Sequence, residues 1–356
     1  MKEISKMLVI KLDHIGDLVL TIPALKALRK RYPNIQLDVM VNPKSQAVIQ
    51  ELNEIDHIYL YDSRDFDRDD HIEQEGLGRN ISTIHKIRCE KYDICIGLRE
   101  DLSNIPIQLM CGAKENVSFS TNTQFACYLD QSVENDESKH AARIQFDLLK
   151  KLDVEMPKIL VPEVPVSKDG RLWAEQFLLE QEQGNVSVRI GLSIGGGWFL
   201  NWWPVENYVC LAAKIKHTYP DAEIILVGGS AEKKLEKSFQ KTADFDYISV
   251  IGKADIGQMF ALYEKMDLVV SNDGGPMHMA TAVKTPVIAL FGPSPYQRFG
   301  PLGSDNIIIT KKYPCSPCPQ FVKGQAPHCQ DNQCMKAITV EEVYQAVVAK
   351  MERTGG

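Results

Sequence analysis

The chain has 356 residues, 44% hydrophobic and 24% charged, with a formal net charge of −7. That length divides into two domains of similar size rather than one core, and the composition is that of a globular chain, not a disordered one. An acidic balance without a long basic run argues against coating nucleic acid. The opening MKEISKMLVIKLDHIGD holds an apolar run too short for a secretory signal, and no stretch is long enough to span a bilayer. The expected location is therefore cytoplasmic.

In chain order, MLVIKL (Met7 to Leu12) is a short apolar run of the kind buried on both faces of a parallel sheet. LVLTIPALKALRKRYP then takes helical spacing, with Leu18, Ile22, Leu25 and Leu28 on one face and Pro33 as the stop. IQLDVMV and HIYLY read as strands, followed by a polar loop over Asp62 to Asp70, a helix, and the strand YDICIGL. The segment LVPEVPVSKDG (Leu160 to Gly170) has the breaks of a domain connection. Beyond it the alternation restarts with VSVRIGLSIGGG, AEIILVGG, YISVIG and DLVVSNDGG as strands and helices between them. Alternation at these lengths builds βαβ units and a parallel sheet in each half. Two such domains facing each other would leave a central cleft at the carboxyl ends of their strands, where open α/β sheets bind ligands. TVEEVYQAVVAKMER is a terminal helix, with Thr339 as N-cap and Glu342 closing a capping box. The expected division is 1–165, 166–338 and a terminal helix over 339–356.

Four segments carry chemistry. Gly16-Asp17 stands between the first strand and the first helix; Asp17 is either an N-cap satisfying helix N–H groups or an acid aimed into the cleft. Asp13 is a second carboxylate on the same turn. Gly195, Gly196 and Gly197 directly follow a strand, and consecutive glycines let main-chain N–H groups face an anion. Trp198, Trp202 and Trp203 come next, with Trp203-Pro204 anchoring the following helix. In NDGGPMH, Gly274 and Gly275 follow a strand and Pro276 suits a first helical turn. The N–H groups of that turn and the helix dipole favour a phosphate, and His278 is placed to donate to one. Asp273 would repel phosphate and suits sugar hydroxyls or loop organisation instead. The dinucleotide pattern G-x-G-x-x-G follows no strand, which disfavours a dehydrogenase.

Of nine cysteines, Cys89, Cys95, Cys111, Cys127 and Cys210 lie in apolar or helical contexts and read as small buried residues. Cys315, Cys318, Cys329 and Cys334 form a C-x2-C and C-x4-C pair, with His328 as a spare ligand. That spacing suits a closed structural zinc or iron site, or four reduced thiols in a loop, or redox-labile pairs.

Taken in order, MLVIKLDHIGDLVLTIPALKALRKRYP, GLSIGGG with NWWPVENY, ILVGG, SNDGGPMHMATAV and PVIALFGPSP resemble glycosyltransferase family 9, typified by ADP-heptose:lipopolysaccharide heptosyltransferases. The likeness runs along nearly the whole chain. It implies an α/β chain of the GT-B fold, with two Rossmann-like doubly wound domains facing a central cleft. The N-terminal domain would bind the acceptor, the C-terminal domain the nucleotide-sugar donor, and the terminal helix would pack back toward the N-terminal domain. By the same resemblance Asp17 is the catalytic base of an inverting transfer with no required metal. Gly195, Gly196, Asp273, Gly274, Gly275 and His278 then belong to the donor site, and Glu232 falls near the nucleoside ribose. The family usually carries lysine where this chain has Asn201, which removes a charge from the donor phosphates; Arg298 is a candidate substitute cation, and Asp13 a candidate for the acceptor side. The implied reaction moves a heptose from ADP-heptose to a lipopolysaccharide-core or related glycan or glycolipid acceptor. A non-hydrolysing nucleotide-sugar epimerase on the same fold, or a weakened or non-catalytic binding protein, are the alternatives. Lys26, Arg29, Lys30 and Arg31 could bring the first helix to the inner face of the cytoplasmic membrane, or be solvated cations at a helix C-terminus.

Overall fold

The computed structural model describes residues 4–63, 74–99, 104–120, 126–181, 186–319 and 329–354. It divides into two compact units between Val164 and Pro165, inside the proline-rich connection. The polar loop expected over 62–70 lies outside the described residues from residue 64 onward.

The first unit holds a six-stranded sheet. Its strands are β1 (Lys6–Lys11), β2 (Gln36–Val41), β3 (His57–Leu60), β4 (Ile94–Gly97), β5 (Glu115–Ser120) and β6 (Gln131–Glu134), in the spatial order β3-β2-β1-β4-β5-β6. Every pairing is parallel, and Val9 of β1 sits between Val39 and Ile96. Burial on both faces explains why β1 and β2 are apolar runs without alternation. The helix Ile15–Arg31 buries Leu18, Ile22, Leu25 and Leu28 as the spacing requires. It begins three residues earlier than its hydrophobic pattern suggests, with His14 as N-cap, so Gly16 and Asp17 lie in its first turn. Strands β5 and β6 escape sequence reading because ENVSFS and QSVE mix polar residues into short runs. A tie at the edge of the core secures this sheet: Asp93 accepts from the amides of Ser5 and Lys6 at 2.8 and 3.0 Å, and from Lys114 at 2.7 Å.

The second unit repeats the plan with β7 (Val188–Ser193), β8 (Ala222–Val227), β9 (Ile248–Ser249), β10 (Leu268–Asn272), β11 (Val287–Phe291) and β12 (Ile307–Thr310). The order is β12-β11-β10-β7-β8-β9, again all parallel. Trp203 is its largest fully buried side chain. It meets Tyr208 edge to face at 4.9 Å between ring centroids and donates from Nε1 to the carbonyl of Ile338 at 2.8 Å. Pro204 caps the helix Val205–Thr218, as the Trp-Pro pair suggests. The helix Val340–Thr354 buries Val343 and Val347 in the core of this second unit. Its capping box is formed: Thr339 N donates to Glu342 Oε2 at 3.0 Å, and Glu342 N to Thr339 Oγ1 at 3.3 Å.

The expectation that the five scattered cysteines are buried needs correcting. Cys95 and Cys111 are buried, but Cys89, Cys127 and Cys210 are exposed. Cys210 shows why: it lies between buried Val209 and Leu211 on the outward face of its helix, a placement that a locally apolar context does not reveal.

Candidate active site

In each sheet the chain starts at an inner strand, builds outward to one edge, then crosses back to the strand on its other side. The switch falls between β1 and β4 in the first unit and between β7 and β10 in the second. Side chains and loops at the carboxyl ends of those two pairs frame the crevices where open sheets of this kind bind ligands. The candidate residues cluster there.

In the first unit, β1 ends at Lys11, and the turn after it carries Asp13 and Asp17. Lys11 is 5% exposed. Its ammonium reaches Asp13 Oδ2 at 2.7 Å and the carbonyl of Leu98, just past β4, at 2.9 Å. Arg99 Nε meets Asp13 Oδ1 at 3.1 Å, and its guanidinium donates to the carbonyl of Leu12 at 3.1 Å. Asp13 is thus the counter-ion of two cations and locks the β1 and β4 ends together; removing it would strand a buried ammonium. Asp17 is half-buried and, among the described residues, makes no ion pair. Its carboxyl is raised above the ordinary carboxylate range, chiefly by burial and then by the charge of Asp13, with Lys11, His14 and Arg99 opposing at longer range. Since His14 is the N-cap, the N-cap role considered for Asp17 is not the one it occupies. Lys11 and Arg99 were not singled out in the sequence, although a lysine closing an otherwise apolar strand was a usable sign.

In the second unit the turn after β7 holds Gly195, Gly196 and Gly197, and the turn after β10 holds Asp273, Gly274 and Gly275. Gly196 has φ +143° and Gly274 φ +157°, backbone that disfavours any side chain. The two turns lie against each other: a Cβ on Gly196 would stand 3.6 Å from the carbonyl oxygen of Asp273, and one on Gly274 would stand 4.0 Å from the amide of Gly197. The helix Gly275–Ala282 starts at this point with Pro276 in its first turn and His278 buried as its fourth residue. The arrangement presents first-turn N–H groups and the positive end of a helix dipole beside a glycine turn, which together suit an anion.

Glu232 reaches over the first glycine turn, where a Cβ on Gly195 would come within 2.2 Å of its Cγ and 2.9 Å of Oε1. Asn201 and Asp273 are brought together and buried, with Asn201 Nδ2 donating to Asp273 Oδ2 at 3.1 Å. Ser294, in the turn after β11, donates to Asn201 Oδ1 at 3.3 Å. Arg298 belongs to the short helix Tyr296–Phe299 that follows this turn, its guanidinium 5.5 Å from the centroid of the Phe299 ring.

Among the described residues the four cysteines do not form a group placed to hold a metal ion. Cys334 is buried, Cys318 half-buried and Cys315 and Cys329 exposed, and the Cys329 thiol donates to the carbonyl of Asp331 at 3.1 Å. Among the described residues no three His, Cys, Asp or Glu side chains are placed to hold a metal ion; His328 lies outside them. Burial, with smaller contributions from Cys315 and Cys329, pushes the Cys334 thiol up to about 11. These segments instead brace the site. Ser316 and the amide of Cys318 donate to the carbonyls of Gly292 and Pro293, and Asn332 donates to those of Leu200 and Trp202 at 3.1 and 2.8 Å.

Three of the four cations in the second half of the first helix stand beside acids, and Lys30 is exposed. Lys26 lies 3.8 Å from Glu163, Arg29 2.5 Å from Asp56 and Arg31 3.9 Å from Asp153. Among the described residues no helix is long and apolar enough to cross a membrane.

Residues 81–326, more than half of the chain, match the model of glycosyltransferase family 9 (heptosyltransferase). Lipopolysaccharide heptosyltransferase 1 of Campylobacter coli is 22% identical over 86% of this chain and 90% of its own length. Among solved structures, the glycosyl transferase family 9 protein of Veillonella parvula superposes with a TM-score of 0.85, at 22% identity and 99% coverage of both chains. E. coli heptosyltransferase WaaC with ADP-2-deoxy-2-fluoro heptose gives 0.71, at 16% identity, over 97% of this chain and 99% of that one.

Proposed function

Because the chain belongs to glycosyltransferase family 9, we propose that this glycosyltransferase moves a heptose from ADP-heptose, with inversion, to a lipopolysaccharide-core or related glycan. The names of the C. coli relative and of the ligand held by WaaC support the sugar and the nucleotide. We assign the acceptor and the base to the first unit and the donor to the second.

One observation carries the reading: the candidate residues gather at the switch points of both sheets, an acid at one and an anion-suited pair of glycine turns at the other. Asp17 takes the proton of the acceptor hydroxyl as that oxygen attacks the anomeric carbon. A carboxylate raised above its ordinary value is the stronger base, provided the medium still deprotonates it. The bond from the anomeric carbon to the diphosphate oxygen breaks, and ADP leaves with the bonding pair. The Gly274-Gly275 helix entrance stabilises the charge that develops there. Gly195 and Gly196 let the diphosphate approach main chain, Asp273 orients Asn201 beside it, His278 supports the helix start, and Glu232 is placed for ribose hydroxyls. The different surroundings of the two carboxylates separate their roles: Asp13 is ion-paired with Lys11 and Arg99, leaving Asp17, raised chiefly by burial, for the proton.

The test is incubation of the protein with ADP-heptose and a heptose-deficient core acceptor, reading ADP release and the anomeric configuration of the product by NMR. Release of ADP with an inverted linkage supports the reading. Transfer only from UDP- or GDP-sugars, or a retained configuration, overturns it.

A further inference from the structure

We infer that Asn272 is the positioning residue of the donor site, the side chain that sets the distance between its two glycine turns; this rests on the donor assignment made above. Asn272 ends β10 one residue before Asp273 and is 1% exposed. Its Oδ1 accepts from the amide of Trp203 at 3.0 Å, and its Nδ2 donates to the carbonyl of Gly195 at 2.9 Å and, more weakly, to that of Ser193 at 3.5 Å. The single phenol proton of Tyr208 is shared between Asn272 Oδ1 at 3.0 Å and the carbonyl of Ser193 at 2.9 Å. An amide has two lone pairs and two N–H groups, so its full capacity is spent on tying three chain segments together, its own and two others.

Those segments are the end of β10 that leads into Asp273-Gly274, the turn after β7, and the entry to the helix Val205–Thr218. The partners are 64 to 79 residues away in sequence, so no local turn chemistry can do the same work. The chemistry also fixes the residue type. A main-chain N–H can only donate and a carbonyl can only accept, so the side chain must offer an acceptor on the Trp203 side and a donor on the Gly195 side. Aspartate would set oxygen against oxygen at Gly195, and glutamine is one methylene too long for the gap. Asparagine alone meets both demands at this length. Because the carbonyl of Gly195 is held from β10, a ligand that spans Gly196 and Gly274 meets two turns in a set register.

The experiment compares wild type, Asn272→Asp and a stability control, Phe239→Leu, whose ring is fully buried in the same core but packs against Phe245 and Tyr247. ADP binding by calorimetry, donor and acceptor KM, and amide hydrogen exchange over 195–197 and 273–275 are measured well below each melting temperature. For Asn272→Asp the expected results are ADP binding weaker by about tenfold, the scale of a lost buried hydrogen bond, a raised donor KM with an unchanged acceptor KM, and faster exchange in both turns. Phe239→Leu lowers the melting temperature without moving any of these. Wild-type donor KM and wild-type exchange in Asn272→Asp overturn the inference. If that variant does not fold, Asn272→Ser, which adds no charge, is read by the same criteria. Wild type that binds no ADP defeats the donor assignment instead, and the exchange measurement still decides whether Asn272 sets the turns.

Discussion

Asn201 and Asp273 meet in the interior of the second unit, amide to carboxylate at 3.1 Å, from segments 72 residues apart. At the position where the family pattern favours a cation, this chain therefore has a neutral group turned toward an acid. Asn201→Lys introduces a charge that pairs with Asp273 and reaches for the donor diphosphate. Charge-assisted hydrogen bonds are about twice as strong as neutral ones. The expected outcome is tighter ADP binding by about fivefold, with a steeper salt dependence, measured by calorimetry at two ionic strengths. Unchanged affinity would show that Asp273 absorbs the added charge.

Asp17→Asn should reduce transfer by at least about a hundredfold, the low end for loss of a general base, while ADP binding persists. The same variant should melt higher than wild type near neutral pH. A carboxylate whose folded pKa is raised contributes stability only below its unfolded value and loses it as pH rises through the folded one, so the ionised form is a burden at neutral pH. Turnover and thermal denaturation read the two effects separately.

The acidic limb of kcat/KM should fall above about 4, the ordinary carboxylate value. Asp13 is the second cause of the raised value at Asp17. Asp13→Asn removes that negative neighbour and leaves Lys11 and Arg99 to act on Asp17, so the limb should move to lower pH. A limb that stays in place would separate Asp13 from the titration of the base.

Gly195→Ala tests the placement of Glu232. The new methyl would come within 2.2 Å of Glu232 Cγ, and a half-exposed glutamate can swing aside with little loss of stability. If Glu232 contacts the donor, Gly195→Ala and Glu232→Ala should weaken ADP binding to a similar degree. The double variant should then be no worse than either, because both remove one interaction. Additive losses would place Glu232 outside the donor contacts.

Acid should weaken both units through identifiable carboxylates. Asp93 is held well below the ordinary range by Lys114 and the Ser5 and Lys6 amides, although burial opposes them. Lys311 and the Thr339 cap hold Glu342 at about 2. A depressed folded pKa gives stability that is present above the unfolded value and lost as pH falls through the folded one. Melting temperature should therefore drop below about pH 4, and the drop should be shallower in Asp93→Asn. An unaltered acid slope in that variant would assign the effect elsewhere.

Much of this molecule is legible from local pattern. The apolar runs of β1, β2, β7 and β10, the helical spacing of Leu18, Ile22, Leu25 and Leu28, the capping box at Thr339 and Glu342, and the glycine turns after β7 and β10 all follow from properties of residues near one another in the chain. Asp17, Asp273 and the paired glycines could be nominated for the same reason. The start of the first helix could not be read, because His14, Ile15 and Gly16 show no hydrophobic periodicity. The exposed Cys210 was misread because burial depends on which face of a helix meets the sheet.

What waited for the tertiary structure was every relationship made by strand order. Lys11 and Arg99 share Asp13 only because β4 lies beside β1, and Asn272 reaches Gly195 and Trp203 only because β10 lies beside β7. The segments that carry the four cysteines also brace Gly292, Pro293, Leu200 and Trp202, through Ser316, the Cys318 amide and Asn332, contacts that the cysteine spacing does not announce. Local pattern sets what each segment can become, because propensity and periodicity act over a few residues. Hydrogen bonds and ion pairs between distant segments depend on distances of about 3 Å, and those exist only once the sheets have ordered their strands.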